Sequence, residues 1–94
     1  MDINRVNEAG KAIQKALESY TYGWPNIQAR QEIERLADEA LKFSDNDHYV
    51  SEKVTSLKSF AAILYSTRKF EKWGGAEKVR DMIYADAYRL TTWE

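Results

Sequence analysis

The sequence predicts an all-α protein, a small antiparallel four-helix bundle that forms one domain over residues 1–94. Three observations carry that reading. Apolar residues recur at alternating spacings of three and four in four separate stretches, the period of a helix with one buried face. The stretches are parted by short breaks, Gly23-Trp24-Pro25-Asn26, Ser44-Asp45-Asn46-Asp47 and Gly74-Gly75, and connections this short join neighbouring antiparallel helices. Strand alternation is weak throughout, and no internal repeat or linker marks a second unit.

The widest stripe lies in the third stretch. Val50, Val54, Leu57, Ala61 and Leu64 fall on one face, and Phe60 and Ile63 widen it. The pattern predicts an uninterrupted helix over residues 48–73, the longest in the chain, with Asp47 as its N-cap. Gly74 or Gly75 is expected to stop it in the left-handed conformation. So wide a stripe calls for more than one neighbour, which places this helix at the centre of the core.

The first helix is expected over residues 3–20, capped by Asp2. Ile3, Val6, Gly10, Ile13, Leu17 and Tyr20 form its stripe, an a/d pattern that packs against a nearly aligned neighbour. Gly inside a helix costs about 1 kcal/mol relative to Ala, so Gly10 points to two backbones in close approach, helped by Ala9, Ala12 and Ala16. Gly23 then supplies a left-handed turn, and Trp24 before Pro25 is biased to extended backbone.

The second helix is expected over residues 26–43. Ala29, Ile33, Leu36, Ala40 and Phe43 form its stripe, with Ala37 and Leu41 beside it, and Glu32, Glu34, Arg35, Asp38, Glu39 and Lys42 make an acidic, solvated face. The fourth helix is expected over residues 76–91, with Val79, Met82 or Ile83, Ala87 and Leu90 inward and Trp93 continuing the stripe.

Composition narrows the function classes. The chain has no cysteine and one histidine, so disulfides and thiolate metal sites are ruled out. No apolar run approaches the ~18–20 residues that cross a bilayer, and the first residues do not read as a signal peptide. A cytoplasmic location is the expectation. The net charge of −1 gives duplex nucleic acid no basic surface to hold. The charge is uneven: residues 1–50 carry six Lys/Arg against nine Asp/Glu, and residues 51–94 carry eight against six. That polarity suits a mixed-charge partner or a second copy of the chain, although solvated helix faces produce the same scatter.

Candidate chemistry is sparse. Asp45-Asn46-Asp47-His48 is the one cluster resembling a metal loop, but Tyr49 and Val50 stand where a calcium loop needs a ligand and a glycine. Helix capping is the expected role, and no metal or other cofactor is expected. No nucleophile has a base beside it, and the acids fall mostly on polar faces, so the chain does not read as an enzyme. Asp86 is the exception. It lies within the apolar stripe of the fourth helix, flanked by Met82, Ile83 and Leu90, where a base such as Arg68 or Arg89, or water at the stripe margin, is expected to satisfy it, with an active-site acid as the alternative.

Two features stand above this background. Tyr, Trp and Phe exceed what the stripes need. Tyr84 and Tyr88 sit one turn apart with Arg80 a turn earlier, and Tyr22, Trp24 and Trp93 add to them. Tyr, Trp and Arg are enriched at binding hot spots because they bury much area and keep a polar tip. These six residues are the candidate protein interface, against the plainer reading that bulky rings fill a thin bundle from its margins. The second feature is the basic stretch over residues 68–80, where Arg68, Lys69, Lys72, Trp73 and Lys78 stand near Gly-Gly at a helix start. Such a start exposes N–H groups to an anion, but no nucleotide-binding glycine motif is present and Glu77 opposes negative charge.

The sequence therefore points first to a protein-binding module that acts sterically as an inhibitor, immunity protein or adaptor, of the kind that phages and plasmids encode, and that self-associates. The alternative is an oligomeric binder of a nucleotide or other phosphate ligand near residues 68–80. A third reading takes the last two helices as a helix-turn-helix nucleic-acid binder.

Overall fold

Three of the four helices start where a side chain waits to cap them. In the computed structural model, which describes residues 1–94, these are α1 (Ile3–Ser19), α2 (Ile27–Phe43) and α3 (His48–Leu64), followed by a 3₁₀ turn at Lys69–Trp73 and α4 (Ala76–Thr91). The carboxylate of Asp2 accepts from the Arg5 N–H at 3.1 Å, the Asn26 side chain from Ala29 at 3.0 Å, and Asp47 from Val50 at 3.1 Å. Each cap satisfies one of the N–H groups that a helix start leaves unpaired. Asp47 thus has the capping role expected of it, and Asp45 and Asn46 turn the chain ahead of it with φ of 54° and 59°.

The helices form a four-cornered bundle. α1 packs on α2 and α4, and α3 packs on the same two from the other side. Neighbours run antiparallel: Gly10 faces Ala87 and Thr91, while Asn7, nearly one turn earlier, reaches Leu90 and Trp93. The stripes meet inside. Val6, Ile13, Ile33, Val50, Leu57, Leu64, Val79, Ile83 and Leu90 are all fully buried. The stripe ends are thinner than the periodicity suggests: Ile3 is exposed, and Tyr20, Phe43 and Met82 are only half-buried. α3 is not the hub, because every helix has two neighbours.

Gly10 is the point of closest approach between α1 and α4. A methyl group there would lie 2.7 Å from the Ala87 carbonyl oxygen and 2.8 Å from the Thr91 nitrogen. Beside it, the Asn7 side-chain amide donates to the carbonyls of Leu90 and Trp93 at 2.8 and 3.0 Å. These carbonyls lie in the last turn of α4 and just past its end, where helical donors run out.

The long helix expected over residues 48–73 is not formed. α3 stops at Leu64, Arg68 takes φ +64°, and residues 69–73 turn back as the 3₁₀ segment, ended by Gly74 at φ +95°. Two causes act together. The Ser66 hydroxyl donates to the Ile63 carbonyl at 2.6 Å, a local bond of the kind that competes with helix continuation. A helix over residues 48–73 would also run about 39 Å at 1.5 Å per residue, against about 26 Å for its 17-residue neighbours, leaving its last turns nothing to pack on. Folding back lets Phe70 pack on the core and sets Trp73 edge-on to Phe60, with centroids 5.2 Å apart. Gly74 therefore caps this turn rather than α3. No helix is long and apolar enough to cross a membrane.

A candidate protein-binding surface on the fourth helix

α4 turns Val79, Ile83, Ala87 and Leu90 inward, so its periodicity leaves Arg80, Tyr84 and Tyr88 on an outer edge. Folding brings Tyr22 to the same place. The Arg80 guanidinium carbon lies 5.8 Å from the ring centre of Tyr22 and 5.7 Å from that of Tyr84, within the range of cation–π attraction. Two rings from different parts of the chain thus hold one cation in place. Glu18, Asp81, Ala85 and Arg89 complete an open groove of about 620 Å³ with Arg80, Tyr84 and Tyr88. Tyr88 is 54% exposed at its edge.

Behind the ridge sits Tyr65, only 5% exposed, whose hydroxyl has no hydrogen-bond partner. Burial pushes its pKa up to about 12, the positive charge of Arg80 pulls against that shift, and Tyr20 adds to it. Arg80 is therefore held by Tyr22 and by Tyr84, and its charge is felt by the Tyr65 phenol behind them. A cation and rings held in this way meet a partner with little loss of side-chain freedom.

The other expected interface residues separate. Trp24 is 72% exposed and lies in the α1–α2 connection, beside Ile27 at 60%. That connection is anchored to the C-terminal end of α3 by the Asn26 N–H, which donates to the Tyr65 carbonyl at 3.3 Å. Trp24 thus stands at the same end of the bundle as Tyr22. Trp93 does not. Its carbonyl accepts from Asn7 at the opposite end, and its half-buried ring packs on the core.

The basic stretch is dispersed as well. Arg68 is bound to Glu71 at 2.9 Å, and the methylenes of Lys78 lie over Gly74. Lys69, Lys72 and Trp73 line a recess of about 230 Å³ with Ile63, smaller than the ~300–1,000 Å³ of typical small-molecule sites. Trp73 already has one face of its packing taken by Phe60. α3 and α4 lie antiparallel with residues 65–75 between them, whereas a helix-turn-helix crosses steeply after a turn of about three or four residues.

Asp86 finds a partner that its own helix does not supply. The Ser56 hydroxyl of α3 donates to it at 2.6 Å. Burial raises the Asp86 pKa, while Ser56, Lys53 and Arg89 oppose the rise. Arg68, the other base expected there, is tied to Glu71 instead. The acidic face of α2 is partly neutralised within the chain: Arg35 bridges Glu32 and Glu39 at 2.7 Å each, and Lys58 of α3 holds Asp38 at 2.9 Å. His48 pairs with Glu52 at 3.2 Å, and no three His, Asp or Glu side chains converge.

No known family model matches the chain, and neither curated proteins nor solved structures give a match to it.

Proposed function

We propose that this chain is a small cytoplasmic protein-binding module that acts by covering a partner's surface, as an inhibitor, immunity protein or adaptor does. The observation that carries the reading is Arg80 clamped between Tyr22 and Tyr84 beside the exposed ring of Tyr88. Arg and Tyr in a fixed, partly dry setting are the side chains from which binding hot spots are built. Trp24 and Ile27 are exposed at the same end of the bundle as Tyr22. A phosphate-ligand site at Lys69, Lys72 and Trp73 has less behind it, because the recess is small and its tryptophan is already packed. Micromolar nucleotides should leave the melting temperature of the chain unchanged, since a tight ligand stabilises by RT ln(1 + [L]/Kd).

The test is position-specific photo-crosslinking in cells. A benzophenone side chain replaces Tyr88 in one variant and Gln31, exposed on α2, the helix diagonally opposite α4, in another. A defined protein adduct should form from position 88 and not from position 31. Equal labelling from both positions, or none from position 88, refutes the proposed surface.

A further inference from the structure

α4 carries a second stripe on the face turned away from the core. Lys78, Asp81, Ala85, Tyr88 and Thr92 recur at three, four, three and four, and all are exposed. Its charges have little use within one molecule. Asp81 pairs only with its neighbour Arg80, at 3.6 Å with its side chain 67% exposed, and Arg89, flanking the stripe, forms no salt bridge and acts on Asp86 only at longer range. Asp81 and Arg89 are opposite in sign and lie four residues to either side of Ala85, about 6 Å along the helix axis in each direction.

That spacing has a specific symmetry. A two-fold interface uses the same patch on both molecules, so the patch must complement itself. An axis through Ala85 and perpendicular to α4 sets Asp81 of each copy against Arg89 of the other. A parallel pairing sets like charge on like. At the axis Ala85 presents only a methyl group, so the helices can close to about 8–10 Å. Tyr88 of each copy then lies over the stretch between Asp81 and Ala85 of the other. Resting on the reading of this ridge as a protein-binding surface, we propose that its occupant is a second copy of this chain, docked α4 against α4 in an antiparallel pair centred on Ala85.

Sedimentation of the full chain tests it through charge exchange. The wild type should dimerise. Asp81→Arg leaves two cations on the face and Arg89→Asp leaves two anions, so each variant alone should weaken dimerisation by at least about tenfold, as facing like charges do. The two variants mixed in equal amounts should pair with each other, and the double variant carrying both changes should dimerise like the wild type. These two restorations also separate lost pairing from lost folding. A wild type that stays monomeric at ~100 µM, single variants that dimerise normally, or a mixture that fails to pair overturns the proposal. Crosslinks from position 88 to a different protein alone would refute the second copy while leaving the binding surface in place. Absence of any crosslink from that position removes both.

Discussion

Gly10→Ala should destabilise the protein although Ala is the better helix former. The added methyl would lie 2.7 Å from the Ala87 carbonyl oxygen and 2.8 Å from the Thr91 nitrogen. Both are backbone atoms, so no side chain can swing aside. Ordinary contact distances of ~3.5 Å require α1 and α4 to part by roughly 0.5–1 Å. That movement stretches the two Asn7 bonds, now 2.8 and 3.0 Å, to the limit of useful geometry. Helix propensity returns about 1 kcal/mol, against roughly 1–3 kcal/mol for overpacking and about 1 kcal/mol for each weakened bond. The net loss should be about 2–4 kcal/mol. Urea denaturation should show a lower midpoint with an unchanged slope, and the melting temperature of a domain this size should fall by at least roughly 8 °C. A Gly10→Ala protein that gains stability would refute the close approach of α1 and α4.

Other expectations follow from individual side chains. Leu64→Ala, at a fully buried position, should cost about 2–5 kcal/mol in chemical denaturation. Tyr88→Ala should cost under ~1 kcal/mol while weakening self-association by ~2 kcal/mol or more; a destabilised variant that still associates would make Tyr88 a packing residue instead. Asp86 has a pKa raised by burial, so the folded state holds its proton more tightly than the unfolded chain. Its contribution is greatest below the ordinary Asp range and is lost as pH rises through the folded value. Asp86→Asn should therefore be more favourable relative to wild type at pH 7 than at pH 4, measured by paired denaturation midpoints. By the same sign, Tyr65 should keep its proton to about pH 12, and stability should fall between about pH 10 and 12 as the unfolded chain ionises first. An ultraviolet titration should show one tyrosine delayed, and Tyr65→Phe should abolish the delay.

The bundle was legible because its signals are local. Asp2, Asn26 and Asp47 cap the helices that they precede, and the inward stripes of α1, α2 and α4 follow directly from spacing. Gly10 was legible for a different reason, as an unfavourable residue in the middle of a stripe. The end of α3 was not. Phe70 and Trp73 keep an amphipathic rhythm past Leu64, and what breaks the helix is the length of its neighbours together with one Ser66 bond. Asn7 and Ser56 read as ordinary polar residues, since their partners lie 83 and 30 positions away. The Arg80–Tyr84–Tyr88 ridge could be read from helical spacing, but the closing of Tyr22 over Arg80 depends on how the α1–α2 connection folds. Trp93 resembles an interface residue by type alone, whereas the α4 stripe that it continues takes its ring onto the core at the end opposite Tyr22.

The register of α1 against α4 sets an order of events during synthesis. Asn7 waits for carbonyls at positions 90 and 93, and Gly10 for the backbone at 87 and 91. At roughly 5–20 residues per second, translation leaves about 4–17 s between the appearance of Asn7 and that of Leu90. During that interval the apolar stripe of α1 can be covered on its α2 side only. A released chain ending before Val79 would hold three paired helices with an open seam lined by Val6, Ile13 and Leu17, and that seam is the surface a chaperone or another incomplete chain would meet first.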